Sequence, residues 1–118
     1  MLPLQDKSIL IVEDQFLIAL DLATVLQDAG ASATIAPTAK DAFPLVMWGR
    51  FAAAILDQDS AGESNVRTRL KQMGVPVVIY SGGITRTELD AAVPRLSKPS
   101  ADHLIVAAVE RAMRAAVV

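Results

Sequence analysis

The feature that most constrains the fold is the run from Phe51 to Asp59, FAAAILDQD. Six apolar residues follow one another without interruption and end at the carboxylate of Asp57. An unbroken apolar run of this length predicts a strand that is buried on both faces of a sheet. Asp57 would then lie at the carboxyl end of that strand, which is where open α/β sheets bind ligands. Taken alone, Asp57 is explained equally well as a turn residue or a helix cap.

Composition and charge exclude several classes of protein. The 118 residues are enough for one domain with a substantial core and too few for two. A net charge of −2 gives no general attraction to nucleic acid or to acidic membranes, so neither is expected as a partner. The absence of cysteine removes disulfides and thiolate metal sites, and it fits a reducing cytoplasm. With no secretory signal and no apolar run of the roughly 20 residues that span a membrane, the expected location is cytoplasmic.

Strand-like and helix-like segments alternate along the chain. Short β-rich runs predict strands over residues 8–12, 31–36, 51–57, 75–80 and 95–97. Helical patterns predict helices over residues 15–29, 38–48, 64–73 and 101–113, with a weaker candidate over residues 85–93. Thr38 is the predicted cap of the second helix, and Pro44 within that helix predicts a kink or a frayed first half. Gly30, Gly49 and Gly74 are predicted to end the first three helices.

This alternation predicts an α/β fold. Parallel strands with helical crossovers form a doubly wound sheet with helices on both faces. Five strands in a chain of this length fit the flavodoxin-like order 2-1-3-4-5. In that order the first, third, fourth and fifth strands end side by side. The topology therefore predicts that five dispersed polar residues meet at one edge of the sheet: Glu13, Asp14, Asp57, Ser81 and Lys98.

The predicted cluster has the chemistry of a phosphoryl-handling site. Three crowded carboxylates repel one another unless a cation lies among them, and an all-oxygen site favours Mg²⁺. A lysine and a hydroxyl group beside them can neutralise and hydrogen-bond phosphoryl oxygens. A carboxylate can itself act as the nucleophile and form an aspartyl phosphate. Asp57 is the predicted acceptor because it lies between the acid pair and the Ser81/Lys98 side.

Four motifs in order resemble a response-regulator receiver domain of two-component signalling. They are ILIVED, AAAILDQD, VVIYSGG and LSKP, and the resemblance extends from about Lys7 to Met113. It implies that Asp57 accepts a phosphoryl group from a histidine kinase or a phosphotransfer protein, and that Ser81 and Lys98 contact the phosphoryl oxygens. The Mg²⁺ ligands that the resemblance implies are Glu13, Asp14, Asp57 and the backbone carbonyl of Asp59.

The chain also departs from the pattern of that family. Arg95 occupies a position that is often aromatic, so the resemblance implies activation without an aromatic gate. The segment between Ser81 and Lys98 is short and begins with a Gly-Gly pair, which loosely resembles a receiver subgroup with a Thr-Gly signature and a degenerate fourth helix. Residues 82–94 are therefore expected to be mobile before phosphorylation and more ordered after it.

The first and last helices carry wide apolar surfaces. In the first helix, helical spacing places one set of apolar residues on a common face: Phe16, Ala19, Leu20, Ala23 and Leu26. One interpretation buries both helices against the sheet. The other is that part of one helix docks a kinase or a second copy of the chain, which would give a homodimer.

The expected function is that of a single receiver domain over residues 1–118, without an output domain, that signals through an unidentified protein partner. It would not be an enzyme beyond its own phosphorylation and dephosphorylation. Two alternatives remain open at this point. One is a small phosphatase of the haloacid-dehalogenase type, whose nucleophile motif is also Asp-x-Asp at the end of a strand. The other is a binding module that keeps the fold but does not use phosphate.

Overall fold

Helices and strands alternate along the chain as the sequence predicts. The structure is a computed structural model, and it describes residues 2–57, 63–81, 95–97 and 101–117. The weak helical candidate over residues 85–93 and the segment 82–94 lie outside the described residues. The elements are β1 (Ser8–Val12), α1 (Phe16–Asp28), β2 (Ser32–Ala36), α2 (Ala39–Trp48), β3 (Ala53–Asp57), α3 (Glu63–Gln72), β4 (Val77–Ser81), β5 (Arg95–Ser97) and α4 (Asp102–Val117).

The strands form a parallel sheet in the order β2-β1-β3-β4-β5. This confirms the predicted order of the first four strands, and β5 is a three-residue strand that pairs with the end of β4. The register places Val12 opposite both Ala36 and Leu56, so β1, β2 and β3 end at the same level. Asp57 then lies opposite Tyr80 in β4. The carboxyl ends of the strands are thereby aligned along one edge.

Two apolar layers hold the helices on opposite faces of the sheet. Side chains of alternate strand residues, such as Ile9 and Ile55, pack against α1 and α4. Their neighbours, such as Leu10 and Leu56, pack against α2 and α3. Because both faces of β1 and β3 are covered, these strands are continuous apolar runs rather than alternating ones. Each fully buried leucine or isoleucine contributes on the order of 2 kcal/mol to folding, so the layers fix the position of the strand ends.

The second helix begins with a side-chain cap. The Thr38 hydroxyl accepts a hydrogen bond from the Asp41 amide at 3.1 Å and donates one to the Asp41 carboxylate at 2.8 Å. The Ala42 amide donates to the Thr38 carbonyl at 3.0 Å, so the first turn is formed. The helix continues through Pro44 to Trp48. The first half of α2 is therefore capped rather than frayed. The cap satisfies the backbone amide of Asp41, and this hydrogen bond does not involve Pro44.

The three predicted helix-ending glycines act in two ways. Gly30 has a φ of 102° and Gly74 a φ of 75°, which is the left-handed conformation that favours glycine. Gly49 has a φ of −92°, so it is not a left-handed cap. A Cβ atom at Gly49 would lie 2.7 Å from the Leu45 carbonyl oxygen and 2.9 Å from the Phe51 ring. Gly49 is thus required for space rather than for its backbone conformation.

Two further observations concern the helices. The third helix begins at Glu63, just before the predicted start at Ser64 or Asn65. Within the described part of the chain, no helix has both the length and the apolar character needed to cross a membrane.

Candidate functional site

The acid pair lies directly after β1. The Glu13 amide donates to the Ala36 carbonyl at 3.1 Å, which extends the pairing of β1 with β2 by one residue and fixes the Glu13 backbone. The Gln15 amide donates to a carboxylate oxygen of Glu13 at 3.1 Å. Gln15 is the N-cap of α1 and makes no side-chain capping bond of its own. The Glu13 carboxylate is therefore held beside the first turn of α1.

Asp57 is the last residue of β3. Its side chain is buried, although it belongs to a charged residue at a strand end. The apolar run that precedes it packs on both faces of the sheet, and the pairing of Val12 with Leu56 brings the end of β3 beside the end of β1. The burial of Asp57 therefore follows from the position of its strand between β1 and β4.

The carboxylates of Glu13, Asp14 and Asp57 form one cluster. Each of the three offers a carboxylate oxygen, and these oxygens all lie within 4.8 Å of one another. Glu13 is 2% exposed and Asp57 is 3% exposed, whereas Asp14 faces solvent. Two buried carboxylates and a third at their opening repel one another strongly without a cation. An all-oxygen donor set of this kind, open to solvent on one side, fits a hard ion such as Mg²⁺.

The remaining predicted site residues are described only in part. Ser81 ends β4, one position after the residue that pairs with Asp57, so its backbone lies next to the cluster. Ser97 pairs with Ser81 and immediately precedes Lys98 in the chain. Lys98 itself, Asp59 and the Ser81 side chain lie outside the described residues. Of the five residues predicted to converge, the structure brings Glu13, Asp14 and Asp57 together, and the roles of all five stay predictions.

Part of the surface beside the cluster is apolar and exposed. Of the apolar residues that helical spacing places on a common face of α1, Phe16 is 66% exposed and Leu20 is 45% exposed, so this part of the face does not pack on the sheet. Leu17, between them, is 78% exposed. The residues of α1 that pack on the sheet are Ala19, Leu22, Ala23, Val25 and Leu26. The start of α1 thus presents apolar side chains to solvent close to the acid pair.

The chain has one tyrosine, Tyr80, and one histidine, His103. Tyr80 is 5% exposed and belongs to the apolar layer that contacts α1 and α4. This agrees with a packing role for its ring. His103, in the first turn of α4, is exposed and distant in sequence from the cluster residues.

Comparison with known proteins supports the fold. The chain matches no protein-family model and no curated protein sequence. Among solved structures, a CheY-like response regulator receiver domain protein from Methanospirillum hungatei JF-1 is 19% identical with a TM-score of 0.82, over 96% of this chain and 98% of that one. A response regulator receiver protein from Sinorhizobium medicae WSM419 is 20% identical with a TM-score of 0.82, over 96% and 98% of the two chains.

A third similar structure comes from a larger protein. The N-terminal domain of a response regulator/sensory box/GGDEF protein from Carboxydothermus hydrogenoformans is 23% identical with a TM-score of 0.80, over 92% of this chain and 95% of that one. These similarities identify the fold of the chain as that of response-regulator receiver domains.

Proposed function

We propose that the chain is a receiver domain that acts as a phosphoacceptor switch in two-component signalling, with Asp57 as the acceptor. The observation that carries this proposal is the position of Asp57. It is a buried carboxylate at the carboxyl end of β3, with oxygen atoms of Glu13 and Asp14 within 4.8 Å. Asp57 is the one member of this acidic trio that comes from the strand between β1 and β4. A carboxylate at this position can attack a phosphoryl group that approaches from the open edge of the sheet.

The proposed reaction is transfer from a phosphohistidine. A carboxylate oxygen of Asp57 attacks phosphorus, the new O–P bond forms, and the N–P bond to the histidine of the donor breaks. The leaving imidazole nitrogen takes the electron pair and a proton from water. Hydrolysis later returns Asp57 to its carboxylate form, with water attacking phosphorus and inorganic phosphate leaving. In this proposed cycle the chain is itself phosphorylated and dephosphorylated, and it does not act as an enzyme on other molecules.

The acidic trio would hold Mg²⁺ for this step. Glu13, Asp14 and Asp57 supply carboxylate oxygens, and the backbone carbonyl of Asp59 is the further ligand implied by resemblance. The bound ion supplies positive charge that offsets the charge on the phosphoryl oxygens. Ser81 and Lys98 are proposed to donate hydrogen bonds to the same oxygens. Arg95, in place of an aromatic residue, implies that signalling does not use an aromatic gate.

The proposed donor is a histidine kinase or a phosphotransfer protein, and the proposed location is the cytoplasm. Asp14, Phe16 and Leu17 are exposed beside the buried carboxylates. A donor that brings its phosphohistidine to Asp57 must cover this surface, so the exposed apolar side chains of α1 are proposed to contact it. Unlike the scattered exposed leucines of an ordinary surface, these two apolar residues are adjacent in the chain and next to the reacting group.

The experiment that tests this proposal is loading from a small phosphodonor. The purified chain is incubated with acetyl phosphate, with Mg²⁺ or with EDTA, and its intact mass is measured. The wild type should gain one phosphoryl group, about 80 Da, only with Mg²⁺, because a single acidic trio is proposed to hold the ion. Asp57→Asn should gain none, and the control Asp21→Asn, an exposed carboxylate in the middle of α1, should behave as the wild type.

Other outcomes would contradict the proposal. Unchanged loading of Asp57→Asn would assign the acceptor to another residue. Rapid release of phosphate from unrelated phosphomonoesters would instead support a phosphatase of the haloacid-dehalogenase type. A protein that takes up no phosphoryl group from acetyl phosphate or from a phosphohistidine donor would be a binding module.

A further inference from the structure

A groove lies at the end of the sheet opposite to Asp57. Its volume is about 500 Å³, and it is bounded by the carboxyl ends of α2 and α3 and by the residues that precede β3 and β4. Most of its lining residues have apolar side chains, while polar atoms also contribute to its walls. Trp48 is 86% exposed, and Met47 and Met73 are 46% and 43% exposed, so three large apolar side chains at the groove face solvent.

The groove also carries positive charge. Arg50 lines it and is exposed. The half-buried Arg69 donates from Nη2 to the Met47 sulfur at 2.7 Å and from Nη1 to Gln72 at 3.4 Å, while its Nε is buried without a hydrogen-bond partner. Among the described residues, no carboxylate pairs with either guanidinium group. We call this feature the basic groove, defined by the lining residues Met47, Trp48, Arg50, Phe51 and Met73 together with Arg69, which does not line the groove but contacts Met47 beside it. Its chemistry calls for a partner that is both apolar and acidic.

The exposed side of α1 has that complementary chemistry. Positions 17, 20, 21, 24 and 28 recur at helical spacing and are all exposed. We call them the acidic stripe: Leu17, Leu20, Asp21, Thr24 and Asp28. Helix α1 contains no basic residue to neutralise the two carboxylates. The stripe therefore offers two apolar side chains and two negative charges along one helix. Helices that bind apolar grooves do so through side chains at this spacing.

One copy of the chain cannot bring these two surfaces together. Helix α1 packs on one face of the sheet, and the basic groove lies between α2 and α3 on the other face. We propose that the acidic stripe of one copy docks in the basic groove of a second copy, so that the chain associates head to tail. Such a contact is heterologous: it leaves one free stripe and one free groove at the ends of each assembly.

The size of the surfaces sets the strength of this association. The apolar contribution comes from about two exposed side chains of the stripe and three of the groove. This is at the small end of specific interfaces, below about 1,200 Å² of total buried area. The proposed contact is therefore weak, with a dissociation constant between about 10 µM and 1 mM. The paired carboxylates and guanidinium groups should make it sensitive to salt.

Sedimentation velocity of the full chain tests the proposal without any phosphodonor, so it does not depend on the proposed function. The wild type should show a sedimentation coefficient that rises with concentration from about 10 µM to about 1 mM. Leu17→Ser removes an apolar anchor of the stripe, and Trp48→Ser removes the largest anchor of the groove. Each should weaken association by about tenfold or more. Both side chains are largely exposed in the single chain, so the folded state should be retained, which circular dichroism can verify.

Mixing the two variants gives the decisive result. Leu17→Ser keeps an intact groove and Trp48→Ser keeps an intact stripe. An equal mixture should therefore form a dimer that cannot grow further, and it should associate about tenfold or more strongly than either variant alone. The matched control is Leu104→Ser, which removes a half-exposed apolar side chain from α4 and should associate as the wild type does.

Several outcomes would overturn the proposal. A wild type that stays monomeric at about 1 mM has no such contact in the proposed range. Association of Trp48→Ser at the wild-type strength, with loss only in Leu17→Ser, would indicate a symmetric contact between two α1 helices. An equal mixture that stays monomeric would exclude the pairing of stripe with groove. Association that is unchanged when NaCl shortens the screening length to about 4 Å would exclude the charge complementarity.

Discussion

Replacement of Asp57 by Asn should stabilise the protein when no divalent ion is present. Two unit charges 4.8 Å apart repel by about 3.5 kcal/mol at an effective dielectric constant near 20, and by about 0.9 kcal/mol in water. The repulsion between the buried carboxylates of Glu13 and Asp57 should be nearer to the first value. The repulsion that involves the exposed Asp14 should be nearer to the second. Asn keeps the shape of the side chain but loses any attraction that the charge makes elsewhere. The free energy of unfolding should therefore rise by about 1–3 kcal/mol in Asp57→Asn.

Urea and thermal unfolding measure this effect. In EDTA, each kcal/mol of stabilisation should raise the midpoint temperature of Asp57→Asn by about 3–6 °C for a domain of this size. Saturating Mg²⁺, at about 100 times its dissociation constant, should stabilise the wild type by about 2.7 kcal/mol and the variant much less. Asp21→Asn, which removes an exposed carboxylate outside the cluster, should change stability by less than about 0.5 kcal/mol. The reasoning is wrong if Asp57→Asn is no more stable than the wild type in EDTA, or if Mg²⁺ stabilises both equally.

Three further predictions test separate parts of the structure. Thr38→Ala removes the cap of α2 and should lower the free energy of unfolding by about 1 kcal/mol in urea titrations; no change would show that the cap is not needed. Gly49→Ala forces a Cβ against the Leu45 carbonyl and should cost about 1–3 kcal/mol in the same assay, and a neutral result would contradict the contact. Asp14→Ala should abolish the Mg²⁺ dependence of phosphorylation by acetyl phosphate, and dependence retained at the wild-type ion concentration would exclude it as a ligand.

The fold could be predicted because the central strands β1 and β3 are encoded as nearly continuous apolar runs. The run before Asp57 is apolar at every position, the run SILIV before Glu13 is apolar at every position after Ser8, and the structure shows why. Residues of even and odd position in β1 and β3 enter different apolar layers, so neither face tolerates a polar side chain. Parallel pairing of such runs then aligns their carboxyl ends, which is what brings Glu13 and Asp57 together.

Other features could not be predicted because they depend on tertiary contacts. Helix α1 is apolar on so many sides that its periodicity does not show which side meets the sheet, and the exposure of Phe16 could not be read from the pattern. Gly49 has the sequence position of a left-handed cap, but it is fixed by the approach of Phe51, which no local pattern reveals. The bond from the Gln15 amide to Glu13 depends on the angle at which α1 leaves β1.

The most direct test of the central claim is to locate the phosphoryl group chemically. Borohydride reduces the acyl phosphate of a side-chain carboxylate to an alcohol, so a phosphorylated aspartate becomes homoserine. Homoserine is about 14 Da lighter than unmodified aspartate. The chain is treated with a phosphohistidine donor or acetyl phosphate and Mg²⁺, reduced, digested and sequenced by mass spectrometry. Homoserine is expected at position 57 alone, and none is expected when EDTA replaces Mg²⁺. 5-Hydroxynorvaline at position 13, which is the alcohol that a glutamyl phosphate would give, homoserine at position 14, or an unmodified Asp57 in protein that has gained phosphate would contradict this assignment.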